Sequence, residues 1–199
     1  MPQAVDWGPT WWFSDTGAHS DVGSFQCGHL RHHTDIGYRR GPTPLYALII
    51  GINEYESPEV SNLGGAVPDA LAMKRYLEEC LKVPESQIRF LCNAEATREE
   101  IIQEFNNLVI DQRINPGDPI LIFYAGHGGE TYAPKGWEAG DAKIQMLIPY
   151  DFTPVDKKKI ESIPDRVIDG IPDRTVGALL SQIAKKKNDN NIVCLGKNV

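Results

Sequence analysis

Three apolar runs divide the middle of the chain into predicted strands. The first, LYALIIGI from Leu45, is a continuous aliphatic run typical of a strand in a parallel sheet that is covered on both faces. Further runs follow at residues 88–92 and in PILIFYAG, which ends at Gly126. Segments with apolar residues at helical spacing separate the runs. The pattern therefore predicts strand, helix, strand, helix, strand.

Both connecting segments carry helix boundary signals. Asp69 is predicted to open and cap the first helix, ALAMKRYLEECLK, which ends at Val83-Pro84. Thr97, with Glu100 three residues later, has the form of a capping box for EEIIQEFNNLVI, and Asn115-Pro116-Gly117 ends that unit. Because each crossover is helical, the strands are predicted to be parallel, with helices on both faces of an α/β sheet.

The pattern beyond Gly126 is less regular. Residues 130–151 predict loops around one short strand, KIQMLI, and Asp151 is expected to start a turn, with substrate binding as the alternative. Residues 153–172 are charged and broken by prolines, which favours a mobile loop. Thr175 then leads into a third helix, VGALLSQIAKKK, and NIVCL predicts the beginning of a fourth strand.

The first 44 residues show no sustained period. They are rich in Gly, Asp, Ser, Thr and His, so we predict a loosely ordered extension over 1–44 before a domain over 45–199. The extension contains four residues of the types that zinc prefers: Cys27, His29, His32 and His33. Their spacing matches no standard site, and we therefore favour a solvated polar segment over a metal site.

Charge and composition narrow the class of partner. A net charge of -7, from 20 basic and 27 acidic residues, argues against nucleic acid or an anionic membrane as partner. No apolar stretch approaches the roughly 20 residues that span a bilayer, and the N-terminus lacks the order of a secretory signal, so a cytoplasmic protein is expected. The four cysteines are scattered, which predicts reduced thiols.

His127 is the main candidate for chemistry. It lies between Gly126 and Gly128, where the third strand is predicted to end. In parallel α/β sheets, functional residues gather beyond the carboxyl ends of the strands. An imidazole in this position suits a general base or acid, but a glycine-rich turn can also hold a histidine without a chemical role. The local pattern leaves both interpretations open.

Four segments in one order carry a family resemblance: YALIIGINEY, LGGAVPDA, ILIFYAGHGG and MLIPYDF. Together they resemble the caspase-like cysteine peptidases, metacaspase branch, especially the fungal caspase-domain proteins. The resemblance covers about residues 45–193 and implies a caspase-like three-layer sandwich with a mostly parallel sheet, expected to be incomplete at the C-terminal side of this chain. It also implies that His127 is the catalytic histidine of a dyad with a cysteine after strand 4.

The same resemblance implies substrate-binding residues. Asp69 and Gly128 are assigned to substrate binding, with Asp69 contacting a basic P1 side chain; helix capping is the favoured alternative for Asp69, and the two roles are compatible. Metacaspases commonly carry a small polar residue two positions before the histidine, where this chain has Ala125. That departure leaves the S1 assignment open.

The nucleophile of the family has no counterpart in this sequence. It lies in an Asp-Cys-His-Ser-Gly type motif after an apolar strand, whereas these residues read NNIVCLGKNV. Cys194 lacks the flanking residues and is expected to be a buried strand thiol, and Cys80 and Cys92 are expected to be packing residues. The chain is therefore expected to be inactive by itself.

These observations lead to two hypotheses. The first is the large-subunit portion of a cysteine endopeptidase that cleaves protein or peptide substrates after basic residues. The alternative is a non-catalytic, truncated caspase-fold protein that binds and modulates another caspase-fold chain. No cofactor is expected to be required; the resemblance suggests calcium, although no run of carboxylates has the pattern of a calcium loop.

Overall fold

The computed structural model describes residues 43–132, 143–154, 169–188 and 191–198, so the predicted extension lies almost entirely outside the described residues. The strands are β1 (Tyr46–Gly51), β2 (Ile88–Cys92), β3 (Ile120–Gly126), β4 (Gly128–Tyr132), β5 (Lys143–Leu147), β6 (Ile171–Pro172) and β7 (Ile192–Asn198). The helices are α1 (Ala66–Arg75), α2 (Arg98–Ile110) and α3 (Asp173–Lys187), and α1 continues as a π-helical segment over Tyr76–Cys80. None of the helices in these ranges is long and apolar enough to cross a membrane.

Four strands form one sheet in the order β2-β1-β3-β7, and each neighbouring pair is parallel. Gly51 of β1 pairs with Cys92 of β2 and with Ala125 of β3, so these three strands end at one edge. The predicted alternation of strands and helices and the predicted parallel sheet are confirmed. The predicted fourth strand is confirmed as β7.

The side chains of β1 separate two apolar layers, because successive residues of a strand face opposite sides of the sheet. Leu48 and Ile50 lie in a layer with α2 and α3, whereas Ala47 and Ile49 lie in a layer with α1. All four side chains are buried. Helices therefore cover both faces of the sheet, as predicted.

Helix α1 begins three residues before the position predicted for it. Asp69 lies in its first turn, and Gly65, which precedes the helix, makes no side-chain cap. The Val67 amide is satisfied from outside the helix, since it donates to Oδ1 of Asn53 at 3.0 Å. The predicted N-cap role of Asp69 is therefore wrong. Because proline usually ends or precedes a helix, Pro68 prevented the earlier start from being predicted, although proline is tolerated in a first turn.

Gly51 allows α1 to approach β1 closely. A Cβ at this position would lie 2.6 Å from Cβ of Ala70 and 3.2 Å from Cα of Val67, both in α1. Those atoms belong to the helix backbone or to a side chain without rotamers, so the whole helix would have to move.

We expect Gly51→Ala to lower the free energy of unfolding by about 1–3 kcal/mol, because the added methyl overpacks the β1–α1 contact. Urea unfolding followed by circular dichroism measures this change. The control is Gly177→Ala in α3, where a Cβ meets nothing within 4 Å. That variant should be neutral or stabilised by roughly 0.5–1 kcal/mol. Equal effects at the two positions would contradict the close contact.

Strands β4, β5 and β6 form a second, antiparallel sheet beside the carboxyl end of β3. The strand predicted in KIQMLI is confirmed as β5. The sequence did not predict β4, because its GGETY carries two glycines, which are uncommon in strands. The region predicted as a mobile loop contains β6, and the third helix begins at Asp173, two residues before Thr175. Residues 155–168 of that region lie outside the described ranges.

Lys187, the last residue of α3, binds the connection that precedes β3. Its Nζ donates to the carbonyls of Asp111 at 2.7 Å and Ile114 at 2.9 Å, which satisfies a side chain that is only 5% exposed. The Gly117 amide donates to the Lys187 carbonyl at 2.7 Å, and the Gly117 carbonyl accepts from the Asn191 side chain. These bonds join the connections before β3 and β7 at the amino edge of the sheet.

Candidate active site

His127 follows β3 and precedes β4, between the two sheets. Its backbone N–H donates to the Tyr55 hydroxyl at 2.8 Å. Its carbonyl accepts from the Tyr124 hydroxyl at 2.8 Å and from the Ile148 amide at 3.1 Å. The position predicted for His127, at the carboxyl end of the third strand, is confirmed, and its peptide groups are hydrogen-bonded on both sides.

The His127 imidazole is half-buried against the loop that follows β1. Its Nε2 lies 2.8 Å from the carbonyl oxygen of Ser61. Because a carbonyl oxygen only accepts, this contact places the proton on Nε2, and the neutral ring keeps its lone pair on Nδ1. The Tyr55 ring lies against the imidazole, with the centroids 5.1 Å apart and the planes tilted by 36°. The Ser61 contact therefore leaves Nδ1 as the acceptor nitrogen of the neutral ring.

Asparagine side chains hold the loop that supplies Tyr55 and Ser61. Oδ1 of Asn93 accepts from the Asn53 amide at 2.8 Å, and Oδ1 of Asn62 accepts from the Tyr55 amide at 3.2 Å. Asn93 has a φ of 47°, in the left-handed region that asparagine tolerates better than most residues. Since Asn53 also caps α1, one set of amide side chains fixes both the helix and the loop beside His127.

Both phenols beside His127 remain protonated well into the alkaline range. Burial raises the pKa of Tyr55 to about 12, although the hydrogen bond from the His127 amide opposes this shift. Burial also raises the pKa of Tyr124 well above its usual value. A protonated phenol donates one hydrogen bond and accepts others. Each phenol therefore keeps its hydroxyl hydrogen at neutral pH and can hydrogen-bond with a peptide group of His127.

Gly128 begins β4 and pairs with Leu147 of β5. The Ile148 amide donates to the His127 carbonyl immediately before this pair. Because bonded and non-bonded pairs alternate in an antiparallel ladder, the Gly128 N–H is directed away from β5. This orientation suits a donor to a substrate, and the assignment of Gly128 to substrate binding stays a prediction.

Cys194 lies within β7, as predicted, and pairs with Ile122. His127 comes five residues after Ile122, so at about 3.3 Å per residue the thiol lies roughly 16 Å from the histidine along the sheet. Burial raises the pKa of the Cys194 thiol to about 12. Cys92 ends β2, on the far side of β1 from β3, and Cys80 lies in the π-helical segment after α1. The interpretation of Cys194 as a strand thiol is confirmed.

We expect Cys194 to resist alkylation near neutral pH. A thiol whose pKa is about 12 is ionised in roughly one molecule in 10⁴ at about pH 8, and the thiolate is the reactive form. Iodoacetamide labelling, followed by peptide mass spectrometry, should be at least about a hundredfold slower at Cys194 in the folded chain than in guanidinium. Equal rates in the two states would contradict the shielded thiol.

The end of β7 comes close to His127. Asn198, the last residue of β7, pairs with Gly126, the residue before the histidine. Neighbouring strands lie about 4.8 Å apart, so the carboxyl end of β7 lies beside the residue that precedes the histidine. The carboxyl end of β7 is thus much closer to His127 than Cys194 is.

A sequence model of the caspase domain matches residues 45–187, which is most of the chain. The chain belongs to the caspase domain family. Metacaspase-1A of Aspergillus oryzae is 30% identical over 112 residues, which cover 53% of this chain and 26% of that protein. Metacaspase-5 of Trypanosoma cruzi is 35% identical over 126 residues, 57% of this chain and 27% of that protein. The chain spans about a quarter of the length of the curated relatives that it matches.

A solved structure shares the fold of this chain. The crystal structure of a protein from Geobacter sulfurreducens superposes with a TM-score of 0.53 and 18% sequence identity, covering 76% of this chain and 48% of that chain. At this identity the likeness concerns the fold alone. The predicted membership of the caspase-like family and the predicted three-layer α/β fold are both confirmed, and the two curated relatives named above are metacaspases.

The two acidic candidates of this caspase-domain chain have different surroundings. Asp69 is half-buried in the first turn of α1, and its contact with a basic substrate side chain stays a prediction. Asp151 is 8% exposed, and its Oδ1 accepts from the Arg98 amide at the start of α2 at 2.8 Å. Asp151 lies in a turn, since the Phe152 amide donates to the Pro149 carbonyl, but it is the third residue of that turn and does not start it as predicted. The predicted N-cap of α2 is confirmed, since Thr97 Oγ1 accepts from the Glu100 amide at 3.2 Å.

No metal site is evident in the described part of this caspase-domain chain. Within residues 43–132, 143–154, 169–188 and 191–198, no group of three or more His, Cys, Asp or Glu side chains is arranged to hold an ion. The ligand candidates of the N-terminal extension lie outside these ranges: Cys27, His29, His32 and His33. The suggestion of calcium from the resemblance stays a prediction.

Four contributors to the site were not among the residues predicted from the sequence. Tyr124 carries a signal in principle, because a tyrosine in an apolar run must find a partner for its hydroxyl when it is buried. Tyr55 stands in the polar segment NEYES and carries no such signal. Asn53 belongs to the GIN segment, but nothing in the pattern indicates that it caps a helix 14 residues later. Ser61 contributes only a backbone carbonyl, for which the sequence carries no signal.

Proposed function

We propose that residues 45–198 form the histidine side of a cysteine endopeptidase active site, in a protein that cleaves polypeptides after a basic residue. The observation that carries this proposal is the orientation of His127, whose Nε2 is engaged by the Ser61 carbonyl at the edge where β7 ends. A histidine held in this way has a lone pair on Nδ1, as a general base requires.

The proposed chemistry follows from that orientation. Nδ1 of His127 takes the proton of a cysteine thiol placed after β7, and the thiolate attacks the peptide carbonyl carbon. The Gly128 N–H donates to the oxygen that becomes negative. The imidazolium returns its proton to the departing amine, which leaves a thioester. His127 then removes a proton from water, whose oxygen attacks the thioester and releases the acid and the thiol.

The proposed substrate is a protein or peptide with Lys or Arg before the cleaved bond. The carboxylate of Asp69 and the net charge of -7 favour a cationic substrate. The same charge disfavours nucleic acid and anionic membranes as partners, and we propose a cytoplasmic location. Ala125 supplies no hydroxyl to the substrate, so Asp69 would provide the selectivity.

Residues 1–199 alone are proposed to be inactive, because a missing nucleophile removes on the order of 10⁶ in rate. The purified chain is incubated with fluorogenic peptides ending in Arg or Lys, with and without calcium, alongside Cys194→Ala. We expect no turnover above buffer in any sample. Robust turnover that disappears in Cys194→Ala would show that Cys194 is the nucleophile and would overturn this part of the proposal.

The transcript tests the peptidase proposal directly. Sequencing beyond the codon for Val199 should reveal an Asp-Cys-His-Ser-Gly type motif within the reading frame. The encoded protein should then hydrolyse the same peptides. A stop codon at that point would favour the second candidate function below.

The second candidate is a binding protein for another caspase-fold chain. It is favoured by Val193 and Leu195, which are 52% and 43% exposed on β7 at the edge of the described sheet. Apolar side chains on an open edge promote strand pairing. Sedimentation analysis should show association that is lost when both residues are changed to Ser but retained in Ile110→Ser, an exposed apolar position on α2. A well-behaved monomer would exclude self-association through this edge.

A further inference from the structure

We propose that Tyr55 and Tyr124 form a phenol clamp that positions His127 for proton transfer. The inference rests on the proposed function, because it assigns a purpose to the orientation of the imidazole. Both tyrosines act through His127 and neither is proposed to transfer a proton, so both are positioning residues.

The two hydroxyls hold the opposite ends of one residue. Tyr55 accepts from the His127 N–H at 2.8 Å, and Tyr124 donates to the His127 carbonyl at 2.8 Å. The His127 carbonyl also accepts from the Ile148 amide at 3.1 Å, which joins His127 to the residue that follows β5. Because both peptide groups are fixed, the direction of the His127 Cα–Cβ bond is fixed as well. Only rotation about the side-chain bonds can then change the orientation of the imidazole.

The Tyr55 ring restricts that remaining rotation. It packs against the imidazole at a centroid distance of 5.1 Å and lies on the same loop as Ser61, whose carbonyl engages Nε2. Tyr55 therefore contacts His127 twice, through its hydroxyl at the backbone and through its ring at the side chain. A phenylalanine would keep the second contact and lose the first.

Because Gly126 has no side chain, both tyrosine hydroxyls can lie next to it. A Cβ at this position would lie 2.7 Å from the Tyr124 oxygen and 3.2 Å from the Tyr55 oxygen. Any side chain at residue 126 would displace the phenols from the His127 peptide groups. Gly126→Ala is consequently a second way to open the clamp while both tyrosines remain.

The test uses NMR on the protein of residues 1–199. The chemical shifts of the two His127 ring nitrogens give the tautomer of the imidazole. The wild-type ring should carry its neutral proton on Nε2. Tyr55→Phe and Gly126→Ala should each reduce the ratio of the Nε2–H to the Nδ1–H form by about fivefold or more, as expected for the loss of one hydrogen bond. The matched control is Tyr46→Phe, which removes a phenol bond to the Arg113 carbonyl at the opposite edge of the sheet and should leave the ratio unchanged.

Circular dichroism identifies variants that fail to fold, and the two independent variants keep the test decisive. An unchanged tautomer ratio in both folded variants would overturn the clamp. A changed ratio in Tyr46→Phe would overturn it as well, since the effect would then be general. If the ratio shifts as expected but the protein that carries the cysteine motif hydrolyses no peptide, the proposed function fails and the clamp stands. In an active protein, Tyr55→Phe should lower kcat and leave KM unchanged.

Discussion

Replacing His127 with alanine should lower kcat/KM for peptides with a basic P1 residue by about 10⁴-fold or more, in the protein that joins these residues to the cysteine motif of the family. The imidazole is proposed to move a proton in both halves of the reaction, and no other described histidine can replace it, because His127 is the only histidine in the described ranges. The loss should fall on kcat, since the imidazole is not proposed to bind the substrate in the ground state. Steady-state kinetics with one fluorogenic peptide separates the two parameters.

His19→Ala is the matched control for that measurement. His19 lies outside the residues that match the caspase domain, so its replacement should leave kcat/KM within about twofold of the wild-type value. A loss of less than about tenfold in His127→Ala would remove the histidine from the mechanism. A selective rise in KM would instead assign His127 to substrate binding.

Replacing Phe105 with alanine should lower the free energy of unfolding by about 3–5 kcal/mol. Phe105 is 2% exposed and lies in the apolar layer between the sheet and the helices α2 and α3. Removing its ring leaves a cavity between rigid elements, in addition to the lost burial of apolar surface. Urea unfolding followed by circular dichroism measures the change.

Ile110→Ala is the control on the same helix. Ile110 is 70% exposed, and its replacement should change the free energy of unfolding by no more than about 0.5 kcal/mol. If the two variants were equally stable, α2 would not be packed through Phe105, and the assignment of the layer would be wrong.

The strands of the parallel sheet were predictable because burial on both faces leaves a simple signature. LYALIIGI and PILIFYAG are continuous apolar runs, which a strand covered by helices on both sides requires. Boundaries that depend on distant partners were not predictable. Helix α1 begins early because Asn53 supplies a cap from another part of the chain, and propensity rules consider only neighbours in sequence.

The candidate site likewise contains residues that could be predicted from the sequence and residues that could not. His127 could be predicted because its glycine neighbours and its place after a strand are local features. Its surroundings could not, since Tyr55 and Ser61 reach it across more than 60 residues of chain, with separations of 72 and 66. The predicted capping role of Asp69 failed for a related reason, because the helix terminus was already satisfied by a side chain that the local pattern does not include.

Ser61 orients the imidazole with its carbonyl oxygen, an atom that every amino acid possesses. Substitution of the serine side chain would leave this acceptor in place, whereas a deletion within the loop would withdraw it. A survey of tolerated mutations would therefore score position 61 as dispensable. The requirement at this position is for a backbone path of a fixed length and shape, which selection can maintain while the identity of the residue drifts.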